Sequence, residues 1–119
     1  MNSNVVQFAI LAAVLIAVLF GVRAMGGSRM SAAQARTLIA EGGTLVDVRT
    51  PAEFQAGHLT GAINIPVDQM EARIGEIPSS RSVVLYCASG LRSSAAAGKL
   101  RRAGRTEVFN LGAMSRWNE

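Results

Sequence analysis

Residues 5–22 read VVQFAILAAVLIAVLFGV, 18 positions in which Gln7 is the one polar side chain. No charged residue occurs before Arg23. A helix over this run would span roughly 27 Å, close to the hydrocarbon thickness of a bilayer. A helix apolar on every face has no place on the surface of a small domain. A cleaved secretory signal is the other possibility. It fits less well, because no Lys or Arg precedes the run, the run exceeds a usual signal core, and no convincing small-x-small cleavage site follows. The run therefore predicts one transmembrane anchor over residues 1–22. What is left of the 119-residue chain is enough for one soluble domain.

Arg23 and Arg29 stand just beyond the run. The positive-inside tendency makes this a single-pass membrane protein with its C-terminal domain in the cytoplasm. Residues 23–29, with Gly26-Gly27-Ser28, form a short flexible linker that keeps the domain, residues 30–119, close to the membrane.

The chain has 12 Lys and Arg against 8 Asp and Glu, a net charge of +4. The charges are scattered, few aromatic residues accompany them, and no recognition motif is present, so nucleic acid is not an expected partner. Small anionic substrates and an acidic membrane surface remain compatible. There is 1 Cys and 1 His. An intrachain disulfide and a multi-thiolate zinc site are thereby excluded, and a protein-only metal site is not expected. A lone Cys is either an inert core residue or a reactive thiol. A reducing cytoplasm suits a free one.

Along the domain, short apolar runs alternate with helical stretches. Ser31 can cap a helix through Ala32, Ala35, Leu38 and Ile39, ended by Gly42-Gly43. Residues 44–48 read as a buried strand. Pro51 then opens a helix with Glu53 and Phe54, the latter expected in the core. Residues 62–65 form a second strand, 67–74 a short helix, and 82–86 the clearest strand. A helix is expected from Ser93 to Ala103, followed by a strand at 107–110 and a turn that reaches Trp117, expected as a core plug. Continuous apolar strands alternating with helices predict an α/β fold, a parallel sheet covered by helices on both faces. Ligands of such sheets bind at the carboxyl ends of the strands, and Cys87 lies at one of these ends.

After that strand come Cys87-Ala88-Ser89-Gly90-Leu91-Arg92-Ser93. Loop amides can converge on the sulfur, and the following helix N-terminus adds partial positive charge. Both favour thiolate and lower the Cys87 pKa. Arg92 offers a fixed charge and a planar fork for an oxyanion. Spacing alone also permits a buried strand-end cysteine with a solvent-facing Arg.

The segment resembles the active-site loop of the rhodanese family, Cys-x-x-Gly-x-Arg followed by Ser or Thr. Leu45-Val46-Asp47-Val48-Arg49, with Pro51, Glu53 and Phe54, is similar to that family's first signature. Residues 57–66, GHLTGAINIP, are similar to its second. Residues 112–117 resemble its closing Gly-Gly-x-x-x-Trp element, with Ala113 at the second Gly. The matches cover residues 30–117 in order, and the anchor lies outside them.

The resemblance implies a three-layer rhodanese-like fold and a sulfurtransferase that needs no metal or organic cofactor. Cys87 would be the catalytic nucleophile, taking sulfane sulfur from thiosulfate or a persulfide donor and passing it, as a persulfide, to a thiophilic acceptor. Ala88, Ser89, Gly90, Leu91, Arg92 and Ser93 would bind substrate, with Arg92 helping to hold the anionic donor. Asp47, Arg49 and His58 are expected to be structural residues near the site; a thiolate already deprotonated needs no base from His58. Cysteine-dependent phosphatases carry a loop one residue longer. The 4 residues between Cys87 and Arg92 suit one sulfur atom better than a phosphate. Two other readings stay open: a membrane-tethered relay or docking module with little free-standing turnover, whose sulfur acceptor would be a protein, and a redox sensor. Lys99, Arg101, Arg102 and Arg105 can complement the end of the last helix or meet anionic lipid.

Overall fold

The computed structural model describes residues 3–12 and 30–119. Residues 3–12 form helix α1, and all its residues are exposed, Phe8 and Leu11 among them. No helix among the described residues is long and apolar enough to cross a membrane. Residues 13–29, which hold the rest of the predicted anchor and its linker, lie outside the described residues.

The domain is built on a parallel sheet of β1 (Thr44–Asp47), β2 (Ile63–Asn64), β3 (Val83–Cys87) and β4 (Val108–Ala113), in the order β2-β1-β3-β4. Helices α2 (Ala32–Ala40), α3 (Pro51–Ala56), α4 (Met70–Arg73) and α5 (Leu91–Arg102) connect and cover it. β3 lies between two neighbours and is buried throughout. Its alternate residues feed two cores. Val83, Leu85 and Cys87 join Val46, Val48 and Met70 with Ala96, Ala97 and Leu100 of α5. Val84 and Tyr86 join Leu45 and Leu111 with Ala32 and Ala35 of α2. A side-chain period of two, with helices on both faces, is why the strand reads as one apolar run.

Local chemistry fixes the ends of the helices. Ser31 and Gln34 exchange hydrogen bonds at the start of α2, both 3.1 Å. Thr50 and Glu53 do the same for α3, with Pro51 at its first position. Such reciprocal caps satisfy amides the helix itself cannot.

Several boundaries depart from expectation. The stretch at 67–74 is not one helix but α4 between two 3-10 turns, Val67–Gln69 and Ile74–Glu76. α5 begins at Leu91, two residues early, because Gly90 takes the left-handed conformation (φ +101°) and turns the chain there. β4 runs on to Ala113, since a bulge admits the extra residue Leu111: Leu85 pairs with Asn110 and Tyr86 with Gly112. Gly112 (φ +94°) accepts the resulting backbone kink. Phe54 is half-buried rather than core, and Trp117 is a half-buried side chain packed on the second core.

Candidate active site

β3 delivers Cys87 to the carboxyl end of the sheet as the last residue of the strand, facing Ala113 across the ladder. Ala88 and Ser89 are exposed, Gly90 is buried, and α5 starts at once. The loop folds back over the sulfur, leaving Cys87 0% exposed. The Gly90 N–H donates to Sγ at 2.9 Å. Ser93 Oγ lies 3.4 Å from Sγ and donates at 3.1 Å to the Gly90 carbonyl. That carbonyl can accept only, so in the thiol form the S–H points to Ser93 Oγ. In the thiolate form the hydroxyl gains by turning its proton to the sulfur.

Two effects compete at Cys87. Burial pushes the thiol up. The Ser93 hydroxyl and the amides of Ser93, Gly90 and Ser89 pull it down and outweigh burial, so its pKa lies below that of an ordinary thiol. Donors aimed at a buried anion are the physical basis of a reactive cysteine.

Arg92 is in the first turn of α5, not in the loop. Its Nη1 and Nη2 bind the Glu53 carboxylate at 2.6 and 3.0 Å. The fork expected for a donor is thus engaged by the protein's own carboxylate. Glu53 lies in the helix that Pro51 opens, as expected. The capping pattern Thr50-x-x-Glu53 places it at the start of α3, but nothing local announces its partner 39 residues away. Hydrogen bonds from Arg92 and Thr50 hold the Glu53 carboxyl down to about 2. Gly112 also flanks the site: a Cβ on Gly90 would come 3.4 Å from Gly112 Cα.

Asp47 ends β1 and pairs with Arg49 just beyond it. Arg49 Nε donates to both Asp47 oxygens at 3.0 Å, and its Nη2 to Oδ2 at 2.7 Å. Nη2 also reaches the Gly57 carbonyl at 2.6 Å. Asn64 Nδ2 ties the Asp47 and Arg49 carbonyls to β2, both at 3.0 Å. The hydroxyl of Tyr86, on the opposite face from Cys87, accepts the Leu59 N–H at 3.1 Å, and burial raises its pKa. His58 stacks on Phe54 with ring centroids 3.6 Å apart, and its Nδ1 lies 2.8 Å from the Phe54 carbonyl. The carbonyl makes that nitrogen the donor, so the imidazole closes the turn after α3.

In the basic cluster at the end of α5, Arg101 and Arg102 are exposed and Lys99 and Arg105 half-buried, and three of the four bind groups of the domain itself. Arg105 donates to the Ile77 and Ile74 carbonyls at 2.8 and 3.2 Å, and Arg101 to Val108 O at 3.0 Å. Lys99 lies 3.3 Å from Glu71. Among the described residues, no group of His, Cys, Asp and Glu side chains could hold a metal ion.

The site is thus a buried thiol at a parallel strand's carboxyl end, with amide and hydroxyl donors on its sulfur and an arginine in the next helix turn. The rhodanese-like domain family matches residues 31–119, and the chain belongs to that family. It is 47% identical over 74 residues to the uncharacterized protein YqhL of Bacillus subtilis, covering 61% of this chain and 59% of that one. It is 45% identical over 67 residues to a sulfurtransferase of Allochromatium vinosum, covering 56% and 63%. The chain thus spans less than two thirds of either relative's length. Among solved structures, the human single-domain sulfurtransferase TSTD1 superposes with a TM-score of 0.66 at 30% identity, over 76% of this chain and 94% of that one.

Proposed function

We propose that the chain is a sulfurtransferase that carries sulfane sulfur as a persulfide on Cys87 and is held at a membrane by residues 5–22. The observation that carries this reading is the set of donors converging on Sγ. They favour thiolate and would equally hold a terminal persulfide anion. The sulfurtransferase relatives point the same way.

In the first half-reaction the Cys87 thiolate attacks the outer sulfur of thiosulfate. A Cys87 S–S bond forms, the donor's S–S bond breaks, and sulfite leaves with that electron pair. In the second half-reaction a thiolate or cyanide attacks the terminal sulfur, and the Cys87 thiolate leaves. No proton moves in either step, so His58, pinned to Phe54, has no proton to carry.

The test is thiocyanate formation from thiosulfate and cyanide by the full chain in detergent, with Cys87→Ser alongside. Wild type should turn over and Cys87→Ser should fall to background. Equal turnover in both, or a folded wild type that gives neither thiocyanate nor a one-sulfur mass increase on Cys87 with any persulfide donor, overturns the reading. One observation favours the relay variant: Arg92 is already occupied by Glu53. Loading from a persulfide protein without turnover of thiosulfate would select it.

The tether reading rests on the uncharged run at 5–22, on Arg23 and Arg29 after it, and on the exposure of Val5, Phe8, Ile10 and Leu11 in α1. It places the C-terminal domain in the cytoplasm. The full chain should stay with the membrane fraction through alkaline carbonate. Quantitative release into the supernatant would rule out a spanning anchor.

A further inference from the structure

We propose that Glu53 is a positioning residue that sets the charge class of the sulfur donor, by holding the Arg92 fork as an internal anion. The proposal rests on the sulfurtransferase reading and deepens it. Arg92 and Glu53 meet through both nitrogens and both oxygens, at 2.6 and 3.0 Å. Such a fork-to-fork pair uses the geometry a sulfonate would need. Glu53 is also held from behind: its Oε1 accepts the Thr50 N–H at 3.2 Å and the Thr50 hydroxyl at 3.1 Å. A donor that binds Arg92 must therefore displace a carboxylate fixed by its own helix cap.

Protonation does not free the fork, since the Glu53 carboxyl stays ionised down to about pH 2. Exchange with another anion does, and both side chains are 35% exposed, so water can follow the exchange. Arg49 is buried and committed to Asp47 at 2.7 Å, so it adds no free charge. A dianion such as thiosulfate thus meets a guanidinium, Arg92, that is already neutralised. A donor of lower charge loses less by this. Beside Arg92, Leu91 is 79% exposed and offers an apolar contact to an organic substituent. The favoured class is an organic persulfide or a thiosulfonate monoanion. With a thiosulfonate, Cys87 takes the outer sulfur and the sulfinate leaves with the bonding pair.

Glu53→Gln is the discriminating variant, because Gln serves the same capping box while removing the charge. Steady-state kinetics of the full chain in detergent would compare thiosulfate with methanethiosulfonate, cyanide being the acceptor of both. In Glu53→Gln the thiosulfate KM should fall on the order of tenfold, the scale of one charge-assisted hydrogen bond, and the methanethiosulfonate KM by less. Equal shifts for both donors, or no shift, overturn the proposal. A second readout needs no sulfur transfer: protection of Cys87 from iodoacetamide by sulfate. Half-protection should need about tenfold less sulfate in Glu53→Gln. Stronger protection without turnover in either protein would remove the sulfurtransferase reading and leave the role of Glu53 standing. Unchanged protection in a variant with a wild-type melting curve would remove the role itself.

Discussion

Replacing Asp47 by Ala should destabilise the domain by about 3–5 kcal/mol, the usual cost of leaving one member of a buried ion pair without its partner. Asp47 is 0% exposed and Arg49 7%. The substitution removes the acceptor of the Arg49 N–H, Nε and Nη2. It leaves a guanidinium whose pKa is raised first of all by hydrogen bonding to Asp47 and which cannot shed its proton instead. For a domain of this size each kcal/mol moves the melting temperature by about 4–8 °C, so thermal unfolding reads the effect directly. A cycle with Arg49→Ala separates the pair from its surroundings: the two losses should be strongly non-additive. A melting curve for Asp47→Ala within about 1 kcal/mol of wild type would show that Arg49 finds another acceptor or reaches water.

Gly90→Ala should act on the chemistry more than on the fold. A Cβ at φ +101° is strained, at about 1–2 kcal/mol. The new methyl would also press on Gly112, 3.4 Å away, and the loop can relieve both by rotating the Gly90 amide off Sγ. Donors to the sulfur stabilise thiolate, so losing one raises the Cys87 pKa. At any pH below the Cys87 midpoint the thiolate fraction falls, and there the rate of alkylation by iodoacetamide should drop on the order of tenfold, the scale of a hydrogen bond to a charged group. The pH midpoint of that rate should move up, whereas a purely structural loss would lower the rate at every pH and leave the midpoint in place. An unmoved midpoint would mean that the Ser93 hydroxyl and the remaining amides suffice.

How much could be read beforehand depended on whether the cause was local. The run at 82–86 announced β3 because both its faces are buried, and its end announced the position of Cys87. The cap at Ser31 was legible because it is closed within four residues, whereas at α3 only Pro51 marked the start and the cap from Thr50 went unread. The start of α5 was misplaced because Gly90 caps it by conformation, without a side-chain hydrogen bond, while Ser93 and Ser94 look like capping residues. β4 was expected to end at Asn110, short of Gly112. In the fold they form a bulge instead, with the Gly112 N–H donating to Asn110 Oδ1 at 2.9 Å. The partner of Arg92 was out of reach for a different reason. The contact with Glu53 exists only once the sheet brings the first turn of α5 within reach of the first turn of α3, and no periodicity in either segment encodes that.

The strand order β2-β1-β3-β4 bears on how the chain comes off the ribosome. β1 pairs over four positions with β3 but over two with β2, and β3 is made nearly forty residues later. β4 closes the sheet within the last dozen residues, and Leu111 and Trp117, which complete the second core, come with it. Contacts this distant in sequence form slowly, because loop closure is unfavourable until they are made. A nascent chain stopped before β4 therefore exposes the apolar strands that a finished one hides. The apolar run at 5–22, by contrast, precedes every strand and leaves the ribosome before any of them.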